Sequence, residues 1–170
     1  MRSQIKVVSF CLAVLVQLTG LPPQSVAETA ALSFSSVDKS WVVMPTPHRF
    51  PDLIRRLEEV VKVNEMNIVN VASASEGAKA QGHSILGNRV VGVFRNDFAR
   101  RMLAASIPAG IEAPIRIYLV EGANGQTTLA YRRPTQVFAP YFGAPGGDLE
   151  KLAGDLDVIF DKIASATVSP

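Results

Sequence analysis

Two histidines, a run of arginines and a few aromatics are the side chains here with chemistry to offer. His48 and His83 are the only histidines, 35 positions apart, at neither a helical nor a ribbon spacing. A shared metal would need a third ligand, such as Asp52 or Glu76, brought in by the fold. No serine or carboxylate pair stands at a recognisable spacing from either ring for acid–base or nucleophilic work. The sequence therefore reads as two loop or surface histidines. A metal-assisted or acid–base enzyme using His48 and His83 is the alternative. The serines include no G-x-S-x-G elbow. The glycine clusters Gly122 to Gly125 and Gly143 to Gly147 lack a phosphate-loop lysine or dinucleotide spacing, and read as turns. Neither a cofactor nor a catalytic constellation is expected.

Arginine is the stronger signal. Between Arg89 and Arg133 lie seven arginines against Asp97, Glu112 and Glu121, a net charge of +4. Residues 148–162 carry five acids against two lysines, net −3. Arg95, Asn96, Arg100 and Arg101 fall at the start of an expected helix, where free backbone amides and guanidiniums suit an anion such as a carboxylate or phosphate. Arg116 and Tyr118 share one face of an expected strand. They mark a ligand groove or a dimer interface if helices leave that face open. The bland alternatives are solvated arginines, or arginines paired with the acidic C-terminal helix. The charge separation also suits self-association as a homodimer. Phe138, Tyr141, Phe142 and Trp41 read first as the lid of a core, and second as an exposed apolar site.

These side chains must be positioned by a single small domain. The chain has 170 residues, 48% of them apolar, which excludes disorder as its main state. Residues 1–27 read as a secretory signal peptide: Arg2 and Lys6, an apolar run from Val7 to Leu18, a Pro22-Pro23 break, and Ser25-Val26-Ala27 as the cleavage site. The run is short for a membrane span. Cleavage after Ala27 would place the protein in the periplasm or outside the cell, with no membrane attachment. It would remove Cys11, the one cysteine, and leave 15 basic against 15 acidic residues. A neutral mature chain has no field to draw it to nucleic acid. A thiol-free chain excludes thiol catalysis and cysteine-held zinc or iron–sulfur clusters.

Residues 28–39 form a loose lead-in. Trp41 to Met44 is a short strand ended by Pro45 and Pro47. Leu53, Ile54, Leu57, Val60 and Val61 give one apolar helical face from Pro51 to near Asn64. Ile68, Val69 and Val71 suggest a strand, Glu76 to Ala80 a helical turn, and Val90 to Phe94 a central strand. Asn96 is positioned to cap the next helix, which Pro108 and Gly110 end. Ile115 to Glu121 alternates strictly. Asn124-Gly125 makes a hairpin turn, and Thr127 to Tyr131 returns. An irregular aromatic stretch, Pro134 to Gly147, precedes a final helix capped by Asp148, with Leu149, Leu152, Leu156, Ile159, Phe160 and Ile163 as its stripe. The hairpin and helix order define an α+β class: a mixed or mostly antiparallel sheet of about five strands, helices on one face.

Three segments in this order resemble the DUF302 family of small domains of unknown function. They are Phe94-Arg95-Asn96-Asp97 with Met102-Leu103, Ile111 through Glu121, and Leu129-Ala130-Tyr131 through Pro134. Residues 51–64 and Gly77 to Gly82 match its N-terminal half more weakly. The resemblance covers residues 40–166, leaving 167–170 as a tail. It implies a compact, often self-associating α+β domain with no established activity. Many members carry an Asp-His pair where this chain has Ser73-Ala74, and an Arg-His near Pro140-Tyr141-Phe142. Metal or proton chemistry based on those histidines is therefore not expected here. The reading that follows is an exported, non-catalytic domain holding a small anionic or apolar ligand or a protein partner.

Overall fold

The computed structural model describes residues 40–143 and 148–170. The leader, the lead-in and residues 144–147 lie outside the described residues. Along the chain run β1 (Trp41–Thr46), α1 (Phe50–Val63), β2 (Asn67–Ala72), α2 (Ala74–Ala80), β3 (Asn88–Phe94), α3 (Asn96–Ala105), β4 (Ile115–Glu121), β5 (Thr127–Arg132), α4 (Pro134–Phe138) and α5 (Leu149–Val168). The strands make one sheet in the order β1-β5-β4-β3-β2, and every neighbouring pair is antiparallel. The class is α+β, as the hairpin and helix pattern implied.

Period-two alternation divides the sheet. On β4, Ile115, Ile117 and Leu119 are buried, whereas Arg116 is exposed and Tyr118 half-buried. The register sets Ile117 beside Val91 and Tyr131, and Leu119 beside Leu129. These side chains join Leu53, Leu57 and Val61 of α1, Phe98 and Met102 of α3, and the α5 stripe in one core. Helices thus cover one face, because only there do apolar residues from strand and helix periods coincide.

Local chemistry fixes the ends. α1 begins with Pro51 in its first turn and Asp52 near its positive pole. It ends in a left-handed residue, Glu65 at φ 57°. The amides of Glu65 and Met66 close back on the carbonyls of Lys62 and Val61, both at 3.0 Å. That is the Schellman pattern, with Met66 and Val61 buried together. Asp148 caps α5, accepting from the Lys151 amide at 3.2 Å.

Three local expectations are corrected. β1 does not stop at Pro45 but runs through it to Thr46; an edge strand can direct the proline nitrogen outward. Asn96 is the first residue of α3, not its cap. Arg95 holds the cap position, with its side chain turned onto Asp97. The stretch after Pro134 is not irregular throughout. Pro134 opens α4, and a 3-10 turn follows at Ala139–Tyr141.

Candidate functional site: the open face of the sheet

The face away from the helices carries the side chains of opposite parity. Pairing places Gly92 beside Arg116, Tyr118 between Val90 and Ala130, and Trp41 beside Arg132. A groove of about 420 Å³ lies there, lined by Trp41, Val90, Glu112, Arg116, Tyr118, Arg132 and Val137 among others. Glu112 accepts a hydrogen bond from Tyr141 Oη at 2.9 Å, which raises the phenol's pKa. Arg132 Nε donates to Ser40 Oγ at 3.1 Å. Two guanidiniums, two aromatic walls and aliphatic sides suit a ligand with an anionic end and an apolar body. Among the described residues no catalytic dyad lines the groove. A second crevice, between α3 and the core, is only about 30 Å³ and is lined by Phe98, Met102 and Phe138. That is water-sized.

The six residues singled out from the sequence part into two sets. Arg116 and Tyr118 line the groove together. The other four belong to α3 and its cap. Arg95 grips Asp97 through two bonds, Nε to Oδ1 at 2.7 Å and Nη2 to Oδ2 at 3.2 Å, and reaches Glu65 at 3.9 Å. Its guanidinium also sits 4.4 Å from the Phe98 ring centroid. The Arg95 bond holds the Asp97 carboxyl below the usual carboxylate range. Arg101 flanks the same ring at 5.4 Å and meets Asp155 at 3.7 Å. Asn96 and Arg100 are exposed. An anion at the start of α3 would therefore displace Asp97, an acid already in place.

The basic segment meets the acidic helix within one chain. Arg133 donates to Asp161 at 2.7 Å, and Asp161 also accepts from the buried Tyr131 hydroxyl. Burial opposes ionisation of Asp161, but those two donors outweigh it and hold its pKa down. Burial, then the Asp161 bond, pushes the Tyr131 phenol up. Asp157 accepts from Thr135 at both its amide, 2.9 Å, and its hydroxyl, 2.7 Å. These bonds seat α4 on α5.

The two histidines occupy separate places. His48 Nε2 lies 2.7 Å from the Ser169 carbonyl oxygen, at the C-terminal end of α5. Arg56 joins it there, donating to the carbonyls of Thr167 at 2.9 Å, Ala166 at 3.3 Å and Ser169 at 2.5 Å. Side-chain donors over the last carbonyls of a helix satisfy its orphan acceptors. His83 is exposed in the loop after α2. Among the described residues no group of three His, Cys, Asp or Glu side chains is placed to hold a metal.

Trp41 and Arg132 complete the groove, and neither was paired with Arg116 by sequence reasoning. Trp41 was grouped with the later aromatics. Of those, Phe138 is buried in the core, and Tyr141 and Phe142 pack against it. The available signal was parity on β5: Arg132 alternates with buried Tyr131 as Arg116 alternates with Ile117.

A five-stranded antiparallel sheet with helices on one face and a groove on the other defines a small α+β domain. The DUF302 family model, a domain of unknown function, matches residues 42–166, and the chain belongs to that family. A search of curated proteins finds no match. Among solved structures, the chain is similar to an uncharacterised conserved DUF302 protein from Bacillus stearothermophilus. The two share 18% identity and a TM-score of 0.67, over 76% of this chain and 99% of the other. That likeness shows the fold.

Proposed function

We propose that this protein is an exported, non-catalytic binding domain whose groove takes a small molecule with a carboxylate or other anionic end and an apolar body. The supporting observation is the groove itself: about 420 Å³, with Arg116 and Arg132 beside the aromatic walls of Trp41 and Tyr118. Pockets of this size and mixed lining suit small ligands. Arg116 is the anchoring cation, Tyr118 and Trp41 hold the apolar body, and Glu112, which also lines the groove, rejects a second negative charge. Export rests on the leader of residues 1–27 with cleavage after Ala27, giving a periplasmic or secreted protein. Self-association as a homodimer is a separate part of the reading.

Trp41 is the only tryptophan, so its fluorescence reports on the groove directly. Titration with a panel of aromatic and aliphatic carboxylates is expected to give saturable quenching that Arg116→Ala abolishes. Native mass spectrometry of the exported protein reads the cleavage site, bound ligand and oligomeric state together. Stoichiometric metal in that sample, or no quenching by any anion, would overturn the binding reading.

A further inference from the structure

We infer that the ligand of the groove is a zwitterion, a small molecule whose carboxylate meets Arg116 and Arg132, whose ammonium meets Glu112, and whose apolar body lies against Trp41 and Tyr118. This rests on the binding reading above and narrows it to one ligand class. Charges of both signs line the groove, Glu112 together with Arg116 and Arg132. Yet Glu112 forms no ion pair among the described residues, and neither does Arg116. Elsewhere the chain pairs such groups directly, as in Arg95 with Asp97 and Arg133 with Asp161. Opposite charges that share a concave site and are kept from each other leave both to a ligand.

Register builds the end that takes the carboxylate. Ile117 pairs with Tyr131, and Arg132 pairs with Trp41. One position on from Ile117 and Tyr131, Arg116 and Arg132 therefore stand side by side on neighbouring strands, both on the open face. Like charges set opposite one another weaken a sheet, and an anion between them relieves that cost. Glu112 builds the other end. It is the last residue of the 3-10 turn Pro108–Glu112, which leads into β4. Its Oε1 accepts from Tyr141 Oη at 2.9 Å, and its Oε2 has no hydrogen-bond partner among the described residues. The Tyr141 hydroxyl is a neutral donor, so it holds the carboxylate in place without cancelling its charge. A plain carboxylate gains from the arginines and loses to Glu112. A ligand that also carries an ammonium gains from both.

Two matched pairs of ligands test this through Trp41 emission in the exported protein: phenylalanine with phenylpropionate, and ε-aminohexanoate with hexanoate. Members of a pair differ by one ammonium group, and the two pairs differ in how far that group stands from the carboxylate. At least one zwitterion is expected to bind about tenfold tighter than its counterpart, the worth of one charge-assisted hydrogen bond. Glu112→Gln keeps an oxygen for Tyr141 to donate to. It should erase that advantage and tighten the plain carboxylates, a change of sign that a merely structural role for Glu112 would not produce. Carboxylates that bind as well as their zwitterions in both pairs would overturn the inference and leave the groove reading standing. An advantage that survives Glu112→Gln would do the same. Binding by none of the four would overturn both.

Discussion

The two faces of the sheet are made by the same strands, and they obey different rules. On the covered face Ile117, Leu119 and Leu129 are wholly buried against three helices. Almost any side chain there is fixed by volume. On the open face Trp41, Arg116, Tyr118 and Arg132 share a groove whose shape follows from register, not from packing density. The covered face therefore holds stability, and the open face is the one we propose for recognition. Nor is charge spread at random. Two arginines of the basic segment that lie near α5 are answered by its acids, Arg101 by Asp155 and Arg133 by Asp161. Arg116 has no such answer among the described residues.

Substitutions can break or sharpen this contrast. The largest effect is expected from Leu119→Ala, which empties a fully buried position and should cost about 2–5 kcal/mol in chemical denaturation. Its neighbour Val120→Ala, on the other face, should cost well under half of that. Next comes Gly92→Ala, which crosses the contrast. It lies on the open face, yet an added methyl would collide with the Asn70 side chain and come within 2.7 Å of Pro114 Cγ. A loss of about 1–3 kcal/mol is expected. A neutral result would mean that this face has no fixed packing.

Asp161→Asn should cost about 1 kcal/mol, since the carboxylate joins a buried tyrosine to a half-exposed arginine. Its folded pKa lies below that of an ordinary aspartate, about 3.8. The native carboxylate thus adds stability above about that pH and loses it as the pH falls through the lower folded value. Urea midpoints against pH should show an acid limb for the parent that Asp161→Asn flattens. The smallest stability effect belongs to Arg116→Ala, within about 0.5 kcal/mol. The same variant should abolish ligand quenching of Trp41, and that dissociation of stability from binding is the sharpest form of the comparison.

Much of the covered face was legible in the chain. The helical stripes of α1 and α5 and the alternation of β4 announce which residues are buried, because burial follows period. Asn124-Gly125 announced the hairpin between β4 and β5, and Gly125 adopts φ 77°. The groove was legible only by half. Arg116 and Tyr118 follow from alternation within one strand, but Trp41 reaches Arg132 through a pairing of strands that are distant in sequence. No local pattern encodes that β1 lies beside β5. α4 was hidden for a different reason. Five residues that include a proline give too little period to read, and the helix is held by Asp157 on α5. The fate of His48 was likewise tertiary, since its acceptor lies 121 residues away.

β1 gives the domain a polarity. Its first residue, Trp41, walls the groove, while its last, Thr46, lies with His48 at the end of α5. Ser40, next to Trp41, thus lies beside the candidate binding site, about 17 Å along the strand from the end of α5. A bulky graft at Ser40 itself becomes a steric neighbour of the groove's mouth. The same graft after Pro170 hangs from the opposite end of the edge strand and leaves that mouth unobstructed.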